Sequence, residues 1–184
     1  MDFHVFPTEP VAGVYYIQRR SMNYSTVFMT PVDDIPLPSP AYYATIHSSQ
    51  PSIRLYCEPF EGDSPVGEVR VSESASRTDL VVEQSSYTLT TAPGFSGYNL
   101  EGSPLGLLRW VNGSRPRLFM ELVNVLDRRL ARVVDDDILP RMRLEFYTWF
   151  GDGFLHLDLV VLSCLAAMQA NKRNANGLVN TLQI

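Results

Sequence analysis

One apolar segment near the C-terminus constrains the fold of this chain more than any other feature. Residues 154–173 have the sequence FLHLDLVVLSCLAAMQANKR, and Ser163 is the only polar residue within 159–168. A helix that is apolar around its whole circumference is buried in protein or lies in lipid. The apolar stretch is shorter than the roughly 20 residues that a membrane span needs. We therefore predict a core helix over residues 155–171 that is surrounded by protein.

The ends of this helix are marked by charged residues and by a glycine. Asp158 suits the N-cap or the first turn, where a carboxylate meets the positive end of the helix dipole, and Lys172 and Arg173 suit the C-terminal end. Gly177 is a helix stop signal. We therefore expect residues 174–184 to form a C-terminal tail.

The chain before the helix alternates apolar and polar residues with the period of β-strands. In residues 141–150, Met142, Leu144 and Phe146 alternate with charged residues and with Tyr147, which is the pattern of a strand with one buried face. Comparable runs occupy residues 11–17, 24–30, 42–47, 53–58, 66–71, 80–83, 87–91, 105–111, 117–123 and 129–134. Short turn signals separate many of these runs, and no helical pattern intervenes. We predict a mainly β fold, an antiparallel closed barrel of about 12 strands around the central C-terminal hydrophobic helix.

The domain organisation follows from length and composition. A chain of 184 residues with 45% hydrophobic and 19% charged residues is expected to fold as one domain of ordinary size rather than remain disordered. The proline-rich stretch 31–40 favours an extended connector. We predict an N-terminal arm over residues 1–24, one β-barrel domain over 25–173 and the tail over 174–184.

Net charge and cysteine content limit the classes of binding partner and the cellular location that we expect. The net charge of -5 disfavours nucleic acid, which needs a concentrated positive surface. Cys57 and Cys164 fall in apolar patterns, so both are interpreted as small buried hydrophobes. The sequence does not begin with a basic region followed by an apolar core, which is the pattern of a secretory signal peptide. A cytoplasmic location, peripheral to a membrane, is the expectation.

Several short stretches carry a resemblance to a known family. They are PAYYAT at 40–45, LRW at 108–110, ELVNVLD at 121–127 with the strand that follows at 128–134, LEF at 144–146 and LDLVVLS at 157–163. In this order they resemble the tubby-like superfamily, which also contains the scramblase-like proteins, and most closely a fungal family of tubby-like domains of uncharacterised function. The resemblance covers about residues 25–173. It implies a closed barrel threaded by a hydrophobic helix, and its membrane-acting members imply phosphoinositide headgroups as ligands.

Enzymatic and cofactor chemistry finds little support in the sequence. His156 and Asp158 are two residues apart, so they do not share a helical face, and no nucleophile elbow or phosphate-binding glycine motif is present. The acidic run 135–137 is interpreted as a solvated turn, and two distant cysteines do not make a zinc site. We predict a non-enzymatic domain without a cofactor or metal.

Arginines offer the candidate binding site. Arg117, Arg129, Arg141 and Arg143 are predicted on outward-facing strand positions, where guanidinium groups could hold an anionic lipid headgroup through paired hydrogen bonds. The competing interpretation is a solvated barrel wall on which the acids of residues 135–137 neutralise the arginines. Two other functions stay open at this point, a barrel carrier of a small apolar ligand and a protein–protein interaction module with no lipid role.

Overall fold

The computed structural model describes residues 11–20, 26–31, 41–47, 50, 52–58, 64–71, 76–113, 118–135, 142–147 and 154–181. Within these ranges the fold is mainly β, one antiparallel sheet followed by a single C-terminal helix. The strands are β1 (Gly13–Arg20), β2 (Thr26–Pro31), β3 (Tyr42–Ile46), β4 (Ile53–Cys57), β5 (Gly67–Val71), β6 (Arg77–Val82), β7 (Ser85–Thr91), β8 (Gly97–Glu101), β9 (Leu108–Asn112), β10 (Leu118–Asn124), β11 (Arg129–Asp135) and β12 (Met142–Phe146). The helix is α1 (Phe154–Thr181). The predicted succession of antiparallel strands and one final helix is confirmed.

Neighbours in the sheet are neighbours in the sequence. Each strand pairs antiparallel with the next along the chain, which is the arrangement that short turns permit. The first strand has two partners, because β1 pairs with β2 through the register Tyr15↔Pro31 and with β12 through Gly13↔Phe146. Side chains alternate between the two faces of each strand, so one face of the sheet covers the helix and the other faces outward.

The helix supplies the centre of the core. Residues 158–168 are buried without interruption, which covers three turns and therefore every side of the helix. Inward side chains of the sheet such as Leu55, Leu80 and Trp110 are completely buried in the same cluster. Gly67 on β5 lets the backbone come close, since a Cβ there would lie 2.9 Å from Cδ2 of Leu162. The all-round apolar pattern of the helix therefore indicated its burial correctly.

The helix boundaries correct two predictions. The helix runs to Thr181 rather than ending near residue 171, so Gly177 does not stop it and residues 174–181 are helical rather than a tail. A glycine in a helix costs about 1 kcal/mol relative to alanine, which weakens a helix without forcing it to end. At the other end the helix begins at Phe154, so Asp158 lies one turn inside it and is not the N-cap.

The structure adds one strand to those predicted and places another strand within the predicted arm. Strand β8 was missed, because Gly97 and Asn99 weaken its strand pattern although Tyr98 and Leu100 are buried. The expected arm boundary at residue 24 does not coincide with the edge of the sheet, since β1 lies before it and pairs on both sides. Residues 1–10 of that arm lie outside the described residues.

Candidate functional site

The structure describes two of the four predicted site arginines and places them at different points along neighbouring strands. Arg117 and Arg141 lie outside the described residues. Arg129 is the first residue of β11, and Arg143 lies on β12 opposite Val134. Arg129 and Val134 are five residue steps apart on β11, which corresponds to about 16 Å. A single phosphate group therefore does not reach both Arg129 and Arg143.

A chain of contacts nevertheless connects these two arginines across three strands. Arg129 Nε lies 2.7 Å from Oε1 of Glu121, Arg132 Nε donates to Oε2 of Glu145 at 2.7 Å, and Arg143 Nη2 lies 3.3 Å from Oε1 of the same Glu145. The guanidinium carbons of Arg129 and Arg132 lie 5.4 and 5.3 Å from the centre of the Tyr147 ring. We call this set the arginine ladder, in the order Glu121, Arg129, Tyr147, Arg132, Glu145 and Arg143.

Strand register explains the ladder. Arg132 lies opposite Glu121 on β10 and opposite Glu145 on β12, so one arginine has a carboxylate on either side. Side chains directly opposite on neighbouring strands are close enough to pair. Tyr147 follows β12 and is tied to β11 by its backbone N–H, which donates to the Leu130 carbonyl at 3.0 Å. The ring is thereby held beneath the two arginines of β11.

The ladder combines one buried carboxylate, Glu145, with the partly exposed Glu121 and with partly exposed cations. Glu145 is only 4% exposed, whereas the side chains of Arg129, Arg132 and Arg143 are 35–37% exposed. Three guanidinium groups against two carboxylates leave a net charge of +1. Each guanidinium has about five N–H donors. The three guanidinium groups together therefore offer more donors than the four oxygens of the two carboxylates can accept in good geometry. The Nε atoms of Arg129 and Arg143 are buried and make no hydrogen bond to the described residues, although Nε of Arg129 lies 2.7 Å from Glu121.

The partners of the arginines differ from the expected ones. The sequence suggested neutralisation by residues 135–137, of which Asp136 and Asp137 lie outside the described residues. In the structure Glu121 and Glu145 pair with the arginines. The alternation within 141–147 had placed Glu145 on the outer face, but the pairing depends on the register of β10, β11 and β12. Arg132 and Tyr147 were likewise not among the predicted site residues.

A second polar cluster lies inside the molecule, near the N-terminal part of the helix. The Tyr42 hydroxyl donates to Oδ1 of Asp158, and both residues are buried. Burial raises the pKa of Asp158 to about 6, with the Tyr42 hydrogen bond opposing the shift and Glu83 adding to it. Burial, together with the Asp158 carboxylate, raises the pKa of Tyr42 well above its ordinary value, so Tyr42 stays a protonated donor. Tyr15 packs on Tyr42 with ring centres 5.8 Å apart.

The cysteines are thiols without the features of nucleophiles. Both are free. Burial, with Asp158 and Glu58 adding to it, raises the pKa of the half-buried Cys57 to about 11. Burial also raises the pKa of Cys164, which is completely buried as expected. Because the thiolate is the reactive form, neither environment favours covalent chemistry.

Two further polar links tie the helix to the sheet. Trp110 Nε1 donates to the Ser163 hydroxyl at 3.1 Å, and that hydroxyl donates to the Val160 carbonyl at 3.1 Å. Near the C-terminal part of the buried helix, the Tyr98 hydroxyl donates to Oδ1 of Asn171 at 2.9 Å. These bonds satisfy buried polar atoms, as a core requires, so we assign them to the fold rather than to a ligand site.

In the described part of the chain, no group of three or more His, Cys, Asp or Glu side chains is placed to hold a metal ion. No helix among the described residues has the length and apolar character to cross a membrane. No family model, curated protein or solved structure matches this chain.

Proposed function

We propose that this chain is a non-enzymatic binding domain of the tubby-like type that recognises anionic phospholipid headgroups at a membrane surface. In this proposal the sheet is a closed barrel filled by its C-terminal helix, and the headgroup binds on the outer face of β10, β11 and β12. The arginine ladder is the observation that carries the proposal. The order of strands followed by an apolar helix supports the architecture, as does the pairing of β1 with both β2 and β12.

The arrangement of the ladder favours one part of it as the headgroup site. Arg129 and Arg132 both lie near the ring of Tyr147. Arg132 donates its Nε–H to Glu145, and Arg129 is ion-paired with Glu121, so the other N–H groups of both arginines are candidates for binding an anion. Arginine suits phosphate because its planar fork offers two parallel hydrogen bonds. Arg143, with its unpaired Nε, extends the site toward β1. Arg117 and Arg141 stay predicted members of it.

The interior of the molecule disfavours the carrier alternative. A carrier of an apolar ligand needs a cavity of several hundred Å³. Here the helix residues 158–168 pack against the inward side chains of the sheet and are themselves buried. Outward-facing residues are therefore the better candidates for function.

Co-sedimentation with vesicles tests the headgroup proposal. Wild-type protein should pellet with phosphatidylcholine vesicles that contain phosphatidylserine or a phosphoinositide, and not with phosphatidylcholine alone. High salt should release it, because charges are screened over about 8 Å at physiological ionic strength. Replacing both Arg129 and Arg132 with Gln should weaken binding by about tenfold or more, since each basic residue near an anionic surface contributes on the order of 1 kcal/mol.

A matched control separates the ladder from overall charge. Arg70 and Arg77, on β5 and β6, are exposed and pair with Glu68 and Asp79. The Arg70→Gln, Arg77→Gln double variant loses the same charge and should bind vesicles like wild type. If wild type fails to pellet with anionic vesicles at low salt, the headgroup proposal is wrong and a protein partner becomes the better hypothesis. Equal losses in both double variants would also overturn it, because net charge would then explain binding.

A further inference from the structure

Four exposed apolar side chains lie on two neighbouring turns at one end of the sheet. The turn between β8 and β9 carries Leu105 and Leu107, and the turn between β10 and β11 carries Val125 and Leu126. Leu108 at the start of β9 pairs with Asn124 at the end of β10, so the two turns emerge side by side. We call these four residues the apolar tip. Leu126 is 83% exposed and Val125 64% exposed, higher fractions than those of the other exposed large hydrophobic residues described.

Hydrogen bonds hold both turns in shape. The Asn124 side-chain oxygen accepts the backbone N–H groups of Leu126 and Arg128, each at 3.0 Å. The Ser103 hydroxyl accepts the N–H of Leu105 at 3.1 Å, and the Ser103 carbonyl accepts that of Gly106 at 2.9 Å. The apolar tip is therefore presented to solvent by ordered turns. Preorganisation of this kind reduces the entropy lost on binding.

Positive charge surrounds the apolar tip. Residues 105–109 and 124–132 contain four arginines and one acidic residue, a net charge of +3 in a chain whose net charge is -5. Arg109 on β9 pairs with Asp127 in the turn between β10 and β11, and Arg129 pairs with Glu121. When the carboxylates Glu121 and Glu145 that pair with Arg129 and Arg132 are counted as well, the net charge of this set of residues is +1. An anionic surface would therefore attract this end of the molecule and repel much of the remainder, which fixes an orientation.

We propose that the apolar tip inserts into the interfacial layer of an anionic bilayer while the neighbouring arginines contact the headgroups. This inference rests on the proposed function and adds the membrane-facing end of the domain to it. Apolar side chains exposed on two neighbouring turns suit a soft layer that closes around them. The basic residues beside them complement anionic headgroups, and apolar burial together with such attraction is what sets interfacial binding.

Neutral substitutions at the apolar tip test insertion without changing charge. Leu126→Asn should weaken binding to mixed phosphatidylcholine–phosphatidylserine vesicles on the order of tenfold, because a leucine side chain no longer leaves water. Val111→Asn is the control, since Val111 is also exposed but lies toward the opposite end of β9. It should bind like wild type. Thermal unfolding of all three proteins checks that folding is unchanged.

A fluorescent reporter at the same position tests depth directly. Leu126→Trp should show a blue shift with anionic vesicles and quenching by lipids brominated on their acyl chains, whereas Val111→Trp should show neither. The proposal is overturned if wild type binds anionic vesicles but Leu126→Asn binds equally well and Leu126→Trp does not shift. The headgroup proposal would survive that result. If wild type self-associates without vesicles and Leu126→Asn abolishes the association, the apolar tip is covered by a second copy and insertion is likewise wrong.

Discussion

Two carboxylates of this protein are buried to nearly the same extent but have partners of different charge. Asp158, inside the molecule, is 6% exposed and accepts a hydrogen bond from the neutral Tyr42 hydroxyl. Glu145, on the outward-facing arginine ladder, is 4% exposed and lies between the cations Arg132 and Arg143. Burial alone therefore does not decide how a carboxylate behaves in this fold.

The difference between them has a direct electrostatic reason. Removing a carboxylate from water disfavours its charged form, and a nearby cation restores that form while a neutral donor does so only in part. The pKa of Asp158 accordingly rises to about 6 despite its hydrogen bond from Tyr42. The stability that the interior cluster contributes should thus depend on pH.

The largest loss of stability is expected when a substitution introduces a buried carboxylate that has neither a cation nor a hydrogen-bond donor beside it. Leu162 is completely buried in the middle of the helix. Leu162→Asp should destabilise the fold by more than about 4 kcal/mol, enough to prevent cooperative folding at neutral pH. Urea unfolding measured by circular dichroism tests this, with Leu162→Met as a control that should cost less than about 1.5 kcal/mol. A cooperatively folded Leu162→Asp protein would contradict the central position of the helix.

The pH dependence of Asp158 is the next largest effect. Folding raises its pKa from 3.8 to about 6, so the folded state holds the proton more tightly than the unfolded state does. The stability that protonation contributes is complete below about pH 4 and is lost as the pH rises through 6, at about 1.4 kcal/mol per pKa unit and about 3 kcal/mol in total. Asp158→Asn removes this dependence.

Urea unfolding of wild type and Asp158→Asn at several pH values measures that difference. The free energies of unfolding should be similar near pH 4, and above pH 7 the variant should be the more stable protein by up to about 3 kcal/mol. Other carboxylates titrate in both proteins and cancel in the comparison. Parallel stability curves between pH 4 and 7.5 would show that the pKa of Asp158 is not raised.

An intermediate effect is expected from neutralising the buried carboxylate of the ladder. Glu145→Gln leaves Arg132 and Arg143 near each other without their shared anion. We expect a loss of about 2 kcal/mol, below the 3–5 kcal/mol of a fully buried ion pair because the arginines are partly exposed. Urea unfolding at neutral pH measures it.

Glu68 on β5 provides the matched control for Glu145. It also lies between two arginines, Arg54 at 3.5 Å and Arg70 at 3.1 Å, but its side chain is 22% exposed and its partners more so. Glu68→Gln should cost less than about 1 kcal/mol, as surface ion pairs do. Equal losses at Glu145 and Glu68 would mean that the ladder is an ordinary solvated surface.

The smallest effect concerns the hydroxyl that holds Asp158. Tyr42→Phe removes one hydrogen bond to a buried carboxylate and should cost about 1–2 kcal/mol at pH 7.5. The loss should be smaller at pH 4.5, where a neutral carboxyl needs the donor less. Tyr56→Phe is the control, since its ring stacks on Tyr43 through contacts that the substitution keeps. If Tyr42→Phe lowered the free energy of unfolding equally at both pH values, the contribution of Tyr42 would not depend on the charge of Asp158.

The helix and most strands followed from local patterns in the sequence. Period-2 alternation in 142–146 and the uninterrupted apolar run in 159–168 predicted a strand and a buried helix, because burial on one face or on all faces leaves a periodic trace. Local signals at the boundaries were weaker. Gly177 lies inside the helix and Asp158 lies within it rather than at its cap. Strand β8 was missed because glycine and asparagine dilute its pattern.

The candidate site was predictable only as a set of residue types. Outward-facing arginines on the last strands could be predicted, but which side chains of β11 lie near Arg143 and Glu145 depends on how β11 and β12 are aligned. A shift of one residue in strand register exchanges the two faces of a strand. The pairing of Arg132 with Glu145 is thus a consequence of register and not of spacing along the chain.

Amino-acid order alone accounts for the class of this fold, because alternation and apolar periodicity record burial residue by residue. Contacts between residues far apart in sequence arise from assembly of the sheet around the helix. These contacts join Tyr42 to Asp158, the ladder arginines to Glu121 and Glu145, and the turn of Val125 to that of Leu107. Each depends on distances that strand pairing sets, and it is these distances that give the carboxylates, the arginines and the apolar tip their properties.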